Sequence, residues 1–295
     1  MRITSGMANR RITRDMETAR EARQVASQQV SSGKRITRLS DDPAAALDAL
    51  RARRELQRSE AYNRQAADAD GWLTTYDTSL QTVADRLIRV RELALQGASA
   101  GATGGATSVT LTEEIASIRT ELASLANQRY LGKPVFAGTA EPASVYSAAF
   151  TYQGDNGQFL RTIASGVTLQ VNINGPSAFG ADASPTQMFA VLQDLESKIT
   201  AGDSAGLATA ISNLDTARER IDTLRVQVGV KQNTVKSIQD QRANVETDLR
   251  AQLSIAEDVD MAQASIDLNA ADLAYKATLS AAARLFQTSL VDFLR

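Results

Sequence analysis

The chain is 295 residues long and contains neither cysteine nor histidine, which excludes disulfides, thiolate and imidazole metal ligation, and every nucleophilic or acid–base mechanism built on those side chains. Hydrophobic residues make up 43% of it, but 49 are alanine and only 14 are aromatic, a balance that favours long slender helices over a thick core. The 32 basic and 34 acidic residues leave a net charge of −2, so the overall balance calls neither for nucleic acid nor for an anionic membrane.

The first eleven residues, MRITSGMANRR, have no apolar core and no cleavage site of a secretory signal. No window approaches 18 consecutive apolar residues, so membrane insertion is not expected. Residues 1–40 carry nine basic and three acidic side chains and read as a helix with Ile12, Met16, Ala19, Ala26 and Val30 on its apolar side. Residues 31–46, SSGKRITRLSDDPAAA, read as a corner between helices. Gly33 ends one in left-handed geometry, Asp42 caps the next, Pro43 takes its first position, and alanines follow.

Beyond the corner, Leu73, Tyr76, Leu80, Val83, Leu87, Val90 and Ala94 step by three and four, the 3.5-residue seam of a helix packed along a partner. Residues 97–108, GASAGATGGATS, read as a flexible loop by composition. Leu111, Ile115, Ile118, Leu122 and Leu125 then resume the seam. Between residues 134 and 185 lie four of the five prolines, and eight of the 14 aromatics fall between Tyr130 and Phe189. Gly154-Asp155-Asn156-Gly157 between aromatic and β-branched runs predicts a hairpin across 150–163. The alternation of Val167, Leu169, Val171 and Ile173 predicts a half-buried strand ending at Gly175-Pro176. Such an insert is too small to bury much unaided.

A third seam runs from Ile211 through Leu214, Ile221, Leu224, Val228, Val235 and Ile238 to Val245 and Leu249, interrupted by Arg218, Lys231 and Arg242. The closing helix offers Val259, Ala262, Ile266, Leu273, Leu279, Ala283, Phe286, Leu290 and Phe293, and residues 251–295 carry three basic and six acidic side chains. Opposite charge on two amphipathic helices at opposite chain ends predicts an antiparallel pair. Thin apolar stripes make that pair marginal in isolation, so the termini are expected to order when copies assemble. The fold expected is mainly α with a small β insert: a terminal coiled coil from 1–40 and 251–295, a helical rod from 41–133 and 186–250, and a β-rich outer part over 134–185.

Catalytic motifs do not hold up. Ser31-Ser32-Gly33-Lys34 matches S-x-x-K, but no K-T-G follows and Ser40-Asp41-Asp42 is not S-D-N. Gly33-Lys34-Arg35 lacks the remainder of a phosphate-binding loop. Asp41 and Asp42 are explained by capping, and Asp155 by a turn. No enzyme, cofactor or metal is expected.

The corner, the basic helix before it and the alanine-rich closing helix together resemble the flagellin superfamily. Three features resemble its hook–filament junction branch, the hook-associated protein 3 family, more than flagellin itself. They are proline after the acidic pair of the corner, the element NQRYLGKPVFAGT at 127–139, and YQGDNGQ at 152–158. Gly132-Lys133-Pro134-Val135 interrupts a run that is often contiguous in that branch. The resemblance implies unfolded export through the flagellar type III channel with an export chaperone on the C-terminal helix. It implies assembly as a ring of copies on hook-associated protein 1, outside the cell, as the platform for flagellin. A filament-forming flagellin and a signalling coiled coil are the alternatives. On the first reading Ile12, Met16, Val30, Val259, Ile266, Leu273, Leu279, Phe286, Leu290 and Phe293 are the assembly seam, with Gly33, Asp42 and Pro43 forming the corner.

Overall fold

A computed structural model describes residues 5–100 and 106–293. The elements in chain order are α1 (Ser5–Ser32), α2 (Pro43–Ala100), α3 (Ala106–Ala126), β1 (Arg129–Tyr130), β2 (Lys133–Pro134), β3 (Leu160–Ala164), β4 (Val167–Gln170), α4 (Gly175–Phe179), α5 (Met188–Ala201), α6 (Ser204–Glu257) and α7 (Met261–Phe293). Among the described residues the chain is mostly helical with two small two-stranded sheets, as the alanine excess and proline-free flanks require. Part of the segment expected as a loop at 97–108 is helical: α2 runs to Ala100 and α3 starts at Ala106. The residues between lie outside those described.

Two compact units divide the chain: a terminal unit of 1–59 with 244–295, and a central unit of 60–243. In the central unit the sequence seams become the core. Leu73, Tyr76, Leu80, Val83, Leu87, Val90 and Ala94 of α2 are all buried, with Ile115 and Leu122 of α3, Leu192 and Leu195 of α5, and Leu214, Ile221, Val228 and Val235 of α6. Arg242 takes the next seam position and lays its guanidinium 4.3 Å from the Tyr62 ring. The stripe ends there: Val245, expected to continue it, is exposed.

The middle segment completes this core through an aromatic cluster. Phe136 meets Phe179 edge-on at 5.1 Å, and Phe189 stacks on Phe150 at 4.9 Å. Tyr76 packs against Phe136 and its buried hydroxyl donates to the Val135 carbonyl, tying α2 to the chain after β2. The run that interrupts the junction-branch pattern is itself structural. Tyr130 pairs with Lys133 across a two-residue turn, Leu131-Gly132, and Val135, Phe136 and Ala137 are then buried.

The hairpin expected around Gly154–Gly157 forms elsewhere. β3 and β4 pair antiparallel with Arg161 opposite Leu169 and Thr162 opposite Thr168, and the turn is Ser165-Gly166, where Gly166 has φ +73. Asp155 makes the local turn contact but is held mainly by a distant residue, Thr139. Its carboxylate accepts from the Thr139 amide at 2.6 Å, the Thr139 hydroxyl at 2.6 Å and the Gly157 amide at 3.0 Å. The Thr139 hydroxyl, with the two amides, pushes its pKa down to about 2. Tyr152 donates to the Asp155 carbonyl at 2.7 Å. A segment fastened at that many points is an anchored loop rather than a hairpin. The expected strand exists as β4, stops at Gln170, and continues as extended chain through the buried Val171 and Ile173 to α4, which has proline in its first turn.

Candidate functional site

The terminal unit contains the residues expected to act in assembly. Three contacts establish the direction of α1 against α7: Lys34 bridges Asp258 in antiparallel sense, Arg23 meets Asp272 at 3.4 Å, and the same guanidinium lies 5.1 Å from the Tyr275 ring. As the number falls along α1 it rises along α7, so the helices run antiparallel, as their charges predict.

What seals the pair is small. Among the described residues, Ala26 of α1 and Ala264 and Ala282 of α7 are the buried ones of the pair. Of the seam read from sequence, Ile12, Met16, Val30 and Val259 are half-buried. Ile266, Leu273 and Leu279 lie outside the pair, 61%, 70% and 49% exposed. The side chains of Phe286, Leu290 and Phe293 are outside those described. Alanines allow close approach but remove little area from water, so Ile266, Leu273 and Leu279 are displayed rather than packed on α1.

The corner forms as its residues dictate. Gly33 has φ +68 and its amide donates to the Gln29 carbonyl at 2.9 Å, closing α1 in left-handed geometry. Asp42 accepts from the Ala45 amide at 3.1 Å as the cap of α2, and Pro43 is the first residue of that helix. Asp41 fastens the loop before it, accepting from the amides of Thr37 and Arg38 at 3.1 and 2.8 Å. Those amide donors lower the pKa of Asp41, and the Ala45 amide with Arg35 lowers that of Asp42. The acidic pair is therefore one helix cap, Asp42, and one loop clasp, Asp41, not an acid–base dyad.

Sequence reasoning missed the residue that locks the corner. Glu257, the last residue of α6, has a side chain only 7% exposed, and its Oε2 accepts from Lys34 Nζ at 2.9 Å and Arg53 at 2.6 Å. Its carbonyl accepts from the Arg35 amide at 2.7 Å, while the Val259 amide donates to the Gly33 carbonyl at 3.0 Å. One carboxylate thus joins the corner, the start of α2 and the α6–α7 break. Burial pushes the Glu257 pKa up, but the hydrogen bonds from Lys34 and Arg53 outweigh it and the net shift is downward. The signal was present: Glu257-Asp258-Val259-Asp260 is an acidic run opposite the basic Lys34-Arg35 in an antiparallel pair.

Among the described residues no group of three or more acidic side chains is placed to hold a metal ion, and no helix is long and apolar enough to cross a membrane. Residues 3–141 match the bacterial flagellin N-terminal helical region, and residues 211–294 match the bacterial flagellin C-terminal helical region. The chain belongs to the flagellin superfamily.

Membership agrees with the resemblance carried by the corner and by the element at 127–139. The flagellin of Bacillus subtilis is 26% identical over 282 residues, 89% of each chain. In fold, the chain is similar to a structure described as a flagellar hook-associated protein of Vibrio parahaemolyticus. That likeness has TM-score 0.66 and 19% identity, covering 74% of this chain and 99% of that one. It is similar also to the flagellar junction protein FlgL of Legionella pneumophila, with TM-score 0.59 and 13% identity over 72% of this chain and all of that one. Both structures share the long-helix fold with this flagellin-superfamily chain.

Proposed function

We propose that this chain is a structural adaptor of the bacterial flagellum, joining the hook to the flagellin filament. The observation that carries the reading is the exposed Ile266, Leu273 and Leu279 on a terminal helix pair closed by alanines: a surface of that kind is completed by neighbouring subunits. The fold likeness to a hook-associated protein and to a junction protein favours the junction over the filament. On this reading its partners are hook-associated protein 1, flagellin, further copies of itself in a ring, and an export chaperone on the C-terminal helix before passage through the type III channel. Its place is outside the cell, at the hook tip.

Loss of the chain tests this directly. Cells lacking it should keep their hooks and release flagellin into the medium, and a fluorophore on an introduced cysteine should mark hook–filament junctions. Normal filaments without it, or label along whole filaments, would refute the reading. The relationship to Bacillus subtilis flagellin favours a second reading, a filament subunit. That reading requires the purified chain to polymerise alone into long filaments.

A further inference from the structure

Leu131 stands out in the central unit. It is 77% exposed and has φ +50, followed by Gly132 at φ +79, so it occupies the first central position of a two-residue turn with both central residues left-handed. Such turns are normally built from Asn-Gly or Gly-Gly, because an L side chain with a branched body is strained there. Leucine is thus doubly unfavourable in the isolated chain, for its backbone and for its exposure, and strain of this kind points to use. Arg129 and Lys133, both exposed, flank the tip. Arg129 donates to the Pro142 carbonyl at 3.3 Å and Lys133 meets Glu141 at 3.2 Å with both side chains about half in solvent, so neither base is buried by its contact.

A surface of complementary character lies between α3 and α5. A shallow groove of about 620 Å³ is lined there by Thr112, Glu113, Ala116, Gln193, Glu196 and Ala201 among others, and its only charged lining residues are the two glutamates. Between the glutamates its lining is small apart from Gln193, with Ala116, Ala201, Thr112, Ser197 and Thr200, so a large apolar group can lie across it. The glutamates differ in freedom: Glu113 is exposed, while Glu196 is largely covered and held by Arg119 at 3.3 Å. Glu113 therefore supplies the charge at the rim.

We propose that the Leu131 tip docks into the α3–α5 groove of a second copy of this chain, with Arg129 and Lys133 facing Glu113. A copy cannot fill its own groove. The groove is lined by Thr112, Glu113 and Ala116 and the tip lies beyond the end of α3 at Ala126, so roughly 15–20 Å of helix separates them, more than a leucine side chain can reach. The contact joins two different patches, and repetition of such a contact builds a ring or a helix rather than a closed pair. The proposal rests on the reading of the chain as a self-assembling adaptor and names one contact of that assembly.

Sedimentation of the full chain, wild type against Leu131→Asn, tests it, with thermal melting alongside. Asparagine suits the left-handed turn position, so Leu131→Asn should melt higher than wild type while associating about ten- to a hundredfold more weakly, the weight of one buried leucine. A purely structural leucine would not move stability and association in opposite directions. Arg129→Glu and Glu113→Arg should each weaken association, and copies carrying both should recover it. Equal association of Leu131→Asn and wild type, or failure of the charge exchange to restore it, overturns the docking contact while leaving the adaptor reading intact. A wild-type chain that stays monomeric at every concentration removes self-assembly itself, and the contact with it.

Discussion

Replacing Glu257 with alanine removes the one carboxylate shared by Lys34 and Arg53. A charge-assisted hydrogen bond contributes about 1.5–3 kcal/mol when well shielded. Here both cations keep nearly half of their side chains in water, at 42% and 47%, so screening reduces each share, and neither is stranded once the glutamate is gone. A total of about 1–2 kcal/mol follows, or roughly a five- to thirtyfold more frequent opening of the terminal unit. The converse change costs more. Lys34→Ala with Arg53→Ala leaves a buried carboxylate with neither cation, a loss approaching the roughly 3–5 kcal/mol of a broken buried pair. Hydrogen exchange reads this by region: amides of α1 and α7 should lose protection in Glu257→Ala, and more so in the double variant, while the core of 60–243 keeps its own. The same carboxylate gives the pH dependence. Its pKa is lowered on folding, so its contribution is complete above the unfolded value of about 4.3 and fades as pH falls through the folded value. Unchanged exchange in α1 and α7, or a double variant no worse than Glu257→Ala, would refute the assignment.

Four further outcomes are expected. Phe136→Ala opens a cavity in the aromatic cluster and should cost about 3–5 kcal/mol, lowering the Tm of the central unit by roughly 10 °C in calorimetry. Gly138→Ala is disfavoured twice, by φ +73 and by a Cβ set against the carboxylate and backbone carbonyl of Asp155; chemical denaturation should show a loss of about 2 kcal/mol or more. Ile266→Ser with Leu273→Ser changes only exposed side chains, so monomer stability should move by less than about 0.5 kcal/mol, while the assembly proposed above should fail, read as loss of motility. Because the Asp155 pKa is pushed down to about 2, its contribution is present above the unfolded value and lost as pH falls through about 2. The Thr139 amide should accordingly stay protected at pH 3.

The seams were readable because helical periodicity reports burial wherever one partner runs alongside for many turns: every residue from Leu73 to Ala94 in the 3,4 series is buried. The corner was readable because Gly33, Asp42 and Pro43 act on their immediate neighbours. The middle was misread where local chemistry met distant partners. Gly154-Asp155-Asn156-Gly157 has turn composition, but Asp155 bonds to Thr139, sixteen residues away, and Ser165-Gly166 takes the hairpin. Asn127 shows the same limit. Its amide group donates to the Tyr146 carbonyl and accepts from the Tyr146 amide, imitating a strand that no periodicity would reveal. In the closing helix the apolar pattern includes both large residues and alanines, and it is Ala264 and Ala282 that are buried while Ile266, Leu273 and Leu279 are exposed. Periodicity identifies an apolar face without saying which neighbour covers it.

The single tryptophan has an optical consequence. Trp72 is 3% exposed, meets Tyr130 edge-on at 5.0 Å and lies 5.9 Å from Phe159, all within 60–243. Its emission reports the melting of that unit and nothing of α1 or α7, whereas far-ultraviolet ellipticity counts every helix. The two signals should therefore separate on heating, with ellipticity falling first while the tryptophan stays blue-shifted. Non-coincident transitions are the mark of a molecule that does not unfold in one step. The chain thus carries its own dye on one side of that division, and an assembly that fastened the terminal helices would bring the two curves together.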